Sequence, residues 1–142
     1  MTLSEEKNAE SQVKGLIYSI FEAGKNKDFA FLNRVHAGDK GFSKFDDNPP
    51  FRRQDSNETA MFEEAALVNI SDYAYDIEDL KIDIFDNIAI TTFYLSYTGI
   101  FVNNYTFEGR NVAARSRVTM VLHKRERGWV IVHEHRSRFP ET

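Results

Sequence analysis

Gly128-Trp129-Val130-Ile131-Val132-His133-Glu134-His135-Arg136-Ser137 reads as the last strand of a sheet. Side chains along a strand alternate between two faces. Strict alternation groups Trp129, Ile131, His133 and His135 on one face and Val130, Val132, Glu134 and Arg136 on the other. Upstream, Glu126-Arg127-Gly128 is a turn, and Val112 to Lys124 is a long strand whose more apolar set is Val118, Met120 and Leu122. Asn103-Asn104 offers a further turn. Ile88 to Phe101 is rich in Ile, Thr, Phe and Tyr, the composition of a strand. Asp86-Asn87 fits a two-residue hairpin turn. From Asp72 the grammar has period two, with Leu80, Ile82 and Ile84 alternating with Lys81, Asp83 and Phe85. The second half of the chain is thus a four-strand antiparallel meander.

The first half has helical period. Val13, Leu16, Ile17, Ile20 and Phe21 form one apolar stripe. Ser4 stands as the cap, with Glu5 and Glu6 near the positive end of the helix dipole, and Gly24 as the stop. A short helix follows Asp28, with Phe29, Leu32 and Val35 inward, and ends at His36-Ala37-Gly38. Residues 39–57 are irregular: Pro49 and Pro50 block a helix or a central strand, and Phe42, Phe45 and Phe51 mark a loop packed over something. A third helix starts at Asp55-Ser56-Asn57 and turns Met61, Phe62, Ala65, Ala66 and Val68 inward, with Glu63 and Glu64 exposed. Helices followed by a meander is an α+β pattern.

Composition excludes several functions. The chain has 142 residues, the size of one domain and not two. It contains no Cys, which removes disulfides, thiolate nucleophiles and Cys-ligated metals. No apolar run approaches the roughly 20 residues that span a bilayer, and the polar, acidic N-terminus is no signal peptide. The expected location is the cytoplasm, with no membrane partner. Net charge is −4. Residues 110–142 carry eight basic and three acidic side chains, but the basic ones are interleaved with strand residues and form no tract, so no nucleic-acid partner is expected. Gly24, Gly38 and Gly41 are too sparse for a phosphate loop, no Gly-x-Ser-x-Gly elbow occurs, and no cofactor is implied. His133 and His135 share a face as metal ligands can, but lack a third ligand.

The run 128–137 resembles the last strand of SnoaL-like proteins in the nuclear transport factor 2-like superfamily. Its His133-x-His135-Arg136-Ser137 ending and the hairpin His123-Lys124-Arg125-Glu126-Arg127-Gly128-Trp129 also resemble the association domain of calcium/calmodulin-dependent protein kinase II. The order of elements agrees over nearly the whole chain. The resemblance implies a single SnoaL-like domain over residues 1–142. Its N-terminal helices would pack in a strongly curved, mostly antiparallel sheet, a cystatin-like cone with a pocket at its open end. It also implies a homodimer through the outer sheet face. Such a fold hosts isomerases, cyclases, dehydratases, binding proteins and assembly modules, so it does not fix function.

In the kinase domain the matching arginine faces the pocket. Carried over, Glu134 and Arg136 point inward, while Trp129, Ile131, His133, His135 and Arg117 belong to the outer, dimer-forming face. Met120 departs from that domain, which has a second pocket arginine there. Arg136 suits an acidic or carbonyl-bearing ligand. Glu134 is either a carboxylate held for proton transfer or half of a buried ion pair that positions the strand end. The ketosteroid-isomerase branch takes an aspartate base and a tyrosine donor from regions matching Asp46 and Tyr18. Asp46-Asp47-Asn48-Pro49 is also a respectable turn. Phe42, Phe45 and Tyr94 are the expected pocket walls, with the 42–51 loop as lid. The expected function is binding of a small molecule, with isomerisation, hydration or cyclisation as the reaction class if there is one. The alternative is a non-enzymatic homodimeric module. A cavity of roughly 300–1,000 Å³ with Asp46, Glu134 and Arg136 converging distinguishes the two.

Overall fold

The structure is a computed structural model that describes residues 1–38 and 41–140. Three helices precede or interrupt a five-stranded sheet. Helix α1 spans Leu3–Asn26 and α2 spans Phe29–Val35; strand β1 is Ser43–Phe45; α3 is Ser56–Val68. Then come β2 (Ile70–Phe85), β3 (Ile88–Val102), β4 (Gly109–Arg125) and β5 (Gly128–Arg138). The sheet order is β1-β5-β4-β3-β2, with β1 parallel to β5 and all other neighbours antiparallel.

Local chemistry sets the helix ends. The cap of α1 is Thr2, not Ser4: its hydroxyl accepts from the Glu5 N–H at 3.1 Å. The helix runs past Gly24 and stops at Lys27, whose left-handed backbone (φ 56°) donates to the carbonyls of Ala23 and Gly24. Asp28 caps α2 through the Phe31 N–H. Asp55 caps α3 and forms a reciprocal capping box with Glu58. On α3, however, Met61, Ala65 and Val68 are exposed, and Glu63 turns inward to line a cavity. The irregular stretch contains a strand, β1, and its first two residues, 39 and 40, lie outside the described residues.

Long strands curl because bulges interrupt them. In β2 the register shifts between Ser71 and Ala74 and between Glu78 and Lys81, where Asp72 and Asp79 take positive φ. The concave face wraps α1: Val13, Ile17, Ile20 and Phe21 pack against Phe93, Leu95, Val118, Met120 and Leu122, all buried. Gly99 marks the tightest approach in β3. A Cβ there would lie 2.8 Å from Ile70 Cγ2 and 3.4 Å from the Ser71 carbonyl. Gly99→Ala should therefore lose about 1–3 kcal/mol by overpacking. Urea unfolding checks this, and adding Ile70→Ala should return part of the loss.

A third bulge corrects the alternation of the last strand. Val121 pairs with His133 but Leu122 pairs with Ile131, so Val132 is the extra residue. Trp129 (7% exposed) and Ile131 (0%) therefore belong to the core and not to the outer face. Beyond the bulge the parity inverts, and Glu134 joins them inside.

Candidate functional site

Inward parity brings three elements together at the open end of the cone. Lys44 on β1 lies beside Glu134 on β5, and Met120 on β4 lies on the other side of Glu134. Lys44 is 3% exposed and Glu134 is 1% exposed. Glu134 takes Lys44 Nζ at 3.2 Å and the Nε–H of Arg136 at 3.0 Å. Burial alone would raise the Glu134 pKa, but Arg136, Lys44 and His36 outweigh it and hold it at about 2. Arg136 is pushed up in turn, against burial, chiefly by Glu134 and Asp46.

The guanidinium of Arg136 stacks over the Phe21 ring at 5.7 Å. Its side chain is 19% exposed. Only Nε makes a hydrogen bond among the described residues; the two terminal nitrogens make none there, and Arg136 lines a cavity. That cavity measures about 120 Å³, smaller than the expected range. It is lined by Ile20, Phe21, Gly24 and Leu32, with Thr59, Phe62, Glu63, Ala66 and Leu67 supplied by α3. Tyr73, Tyr97, Asp46, Asp47 and Asn48 also line it.

Two adjacent carboxyls of the lining have different environments. Burial raises Asp46 above its ordinary value even though Lys44 and Arg136 pull it down. Asp47 is also buried, yet falls below its ordinary value because the Ser116 hydroxyl donates to it, with Arg136 and Arg138 nearby. Environments that push two carboxyls apart divide acid from base roles. The raised Asp46 also carries a stability cost. Its charged form is penalised above the folded pKa, and the penalty vanishes below the unfolded value of 3.8. Asp46→Asn should thus raise the melting temperature at pH 7, with the gain shrinking as pH falls toward 4. Thermal unfolding at both pH values checks it.

The other expected site residues lie elsewhere. Tyr18 is 40% exposed on α1 and does not line the cavity. Tyr94 is on the outer face, stacked on Phe139 with Arg115 over its ring. Phe42 is core, edge-on to His36 at 5.1 Å. Phe45 is outside, against His133 and His135 at 6.0 and 5.5 Å. The loop thus meets the cavity with Lys44, Asp46, Asp47, Asn48 and Gln54 and not with its phenylalanines. Glu134 sits behind Arg136 and does not line the cavity. Tyr73, Tyr97 and Lys44 line the cavity although the sequence reading assigns none of them to the site. Tyr97 shares parity with the buried Phe93 and Leu95, a signal that pointed to it over Tyr94. Among the described residues no three His, Asp or Glu are grouped to hold a metal, and no helix is long and apolar enough to cross a membrane.

Solved structures share this architecture. A nuclear transport factor 2-like superfamily protein from Salmonella enterica serovar Typhimurium superposes with a TM-score of 0.82 at 18% identity, covering 96% of this chain and 94% of that one. A nuclear transport factor 2-like protein of Streptomyces avermitilis, carried under a provisional dehydratase name, gives 0.81 at 16% identity over 96% and 99%. The association domain of C. elegans CaMKII gives 0.71 at 18% identity over 94% and 98%. At such identities the likeness is one of fold. No curated protein matches the sequence. Residues 13–141 match the SnoaL-like domain, and the chain belongs to that family.

Proposed function

We propose that the cone binds a small acidic or carbonyl-bearing molecule and that Asp46 moves a proton on it, in a cofactor-independent isomerisation, hydration or cyclisation. The observation that carries this is that Arg136, whose terminal nitrogens make no hydrogen bond among the described residues, lines the same cavity as Asp46. Glu134, itself paired with Lys44, holds that guanidinium in place, so Glu134 positions Arg136 and does not meet the ligand. Asp46, made more basic by burial, takes a proton from a carbon next to a carbonyl. The oxyanion that forms accepts from Arg136 and from the Tyr73 hydroxyl, whose pKa burial raises, so it stays protonated as a donor. Tyr73 replaces Tyr18 in that role. An engineered cavity of about 150 Å³ accommodates benzene, so a cavity of about 120 Å³ suits a ligand body of similar size. A thermal-shift screen of small carboxylates, lactones and ketones tests the reading. A stabilising compound should lose its effect in Arg136→Gln and keep it in His133→Ala; the opposite pattern would place the ligand on the outer face.

A second reading, a homodimeric module, rests on the outer sheet face. His133, His135, Arg117 and Arg115 lie on its β4–β5 half, and Asp76, Glu78, Lys81 and Asp83 on β2, where Lys81 pairs with Asp83 and Glu78 with Arg115 at 3.6 Å. A second copy turned by a two-fold axis sets the basic half on the acidic one. The two readings are compatible in one protein.

A further inference from the structure

The cavity brings its own countercharges. Lys44 and Arg136 line it together with three carboxylates, Asp46, Asp47 and Glu63. Glu134, 1% exposed, pairs with both of those cations, at 3.2 and 3.0 Å. Arg138 stands 3.6 Å from Asp47. Among the described residues the ionised site thus sets three cations against four carboxylates. His36 does not reverse that balance. Its Nδ1 lies 2.5 Å from the Leu32 carbonyl, which only accepts, so Nδ1 carries the proton. The neutral ring then has no proton on Nε2, the nitrogen 3.9 Å from Glu63. Protonation of either His36 or Asp46 brings the charges level and no further.

A carboxylate ligand would enter this site as a further anion, beside side chains that are almost wholly buried. The hydration it loses there is replaced only by spare positive charge, and the site has none. A neutral carbonyl oxygen needs only donors. The terminal nitrogens of Arg136 and the amide nitrogen of Gln54 make no hydrogen bond among the described residues. Gln54 lines the cavity and is 2% exposed, and its Oε1 accepts from the Thr59 hydroxyl at 3.2 Å, which orients the amide.

We propose that the cavity selects an uncharged carbonyl compound, a ketone, lactone or amide, and discriminates against the carboxylate of the same shape; this rests on the reading of the cavity as a ligand site. Glu63 sets the discrimination. Its carboxylate lines the cavity, and its only partner among the described residues is His36, beyond hydrogen-bond reach. Asp47, by contrast, is engaged by Ser116 and Arg138, and Glu134 by Lys44 and Arg136.

Benzamide and benzoate test this, being alike in shape and different in charge; acetamide and acetate repeat the comparison at a smaller size. Each is titrated into isotope-labelled wild type at pH 7 and followed at the backbone N–H signals of Asp46, Tyr73 and Arg136. Benzamide should bind about tenfold or more tightly than benzoate, and acetamide more tightly than acetate. Glu63→Gln removes one carboxylate and keeps the shape, so it should tighten benzoate more than benzamide and narrow the gap. A carboxylate that moves the cavity signals at the same or lower concentration than its amide would overturn the charge selection and leave the cavity as a ligand site. So would a gap unchanged in a folded Glu63→Gln. Silence of the cavity signals to all four probes would remove the ligand-site reading, and the selection with it.

Discussion

Glu134→Gln should cost about 3–5 kcal/mol of stability, the scale for breaking a buried ion pair from one side. The variant keeps the shape and removes the charge that faces Lys44 and Arg136. Two cations would then share a site from which water is largely excluded. At roughly 2–4 °C per kcal/mol for a chain of this size, the melting temperature should fall by about 6–20 °C. Adding Lys44→Met should recover part of the loss, since one unpaired charge goes with it. The pH dependence follows from the same pair. Glu134 is held at about 2 when folded against 4.5 ordinarily, so its contribution is fully present above pH 4.5 and is lost as pH falls toward 2. The acid limb of wild-type stability should therefore flatten in Glu134→Gln. A loss under 1 kcal/mol would mean that the triad is not the anchor of the site.

Arg136→Gln should weaken ligand binding by about 1.5–3 kcal/mol, roughly ten- to hundredfold, the worth of a hydrogen bond to a charged group. The glutamine removes the fork whose terminal nitrogens are left without a hydrogen-bond partner among the described residues. Arg136→Lys should restore little, because a single ammonium cannot reproduce a planar two-point contact. In either variant Glu134 keeps Lys44 as a partner, so the fold should survive for titration calorimetry at pH 7. Affinity within twofold of wild type in a folded Arg136→Gln would remove Arg136 from the site.

The architecture was readable because periodicity reports it directly. The α1 stripe, the Asp28 and Asp55 caps, the Asp86-Asn87 turn and the inward Val118, Met120 and Leu122 all express local rules that tertiary packing did not override. Gly24 shows the limit: it looks like a stop, but it lines the cavity, and Lys27 ends the helix instead. The site was legible only in part. Strict alternation along β5 put Glu134 and Arg136 inside but sent Trp129 and Ile131 outside. One bulged residue, Val132, reverses that order, and bulges leave no plain mark in a run of valine and isoleucine. The inward place of Lys44 was not legible because β1 is three residues long and gains its parity only from pairing with β5. The three phenylalanines suggested an aromatic lid, yet alternation around Lys44 throws Phe45 outward and leaves the polar members of the loop to line the cavity.

The most direct test of a ligand-binding cone is to locate a bound ligand without altering the protein. The compound that stabilises best in the thermal screen should be titrated into isotope-labelled wild type and followed by amide chemical shifts. The shifts should concentrate at Asp46, Asp47, Tyr73, Tyr97 and Arg136, with His133, His135 and Arg117 little changed. Shifts concentrated on the outer-face residues, with the cavity residues silent, would contradict the account.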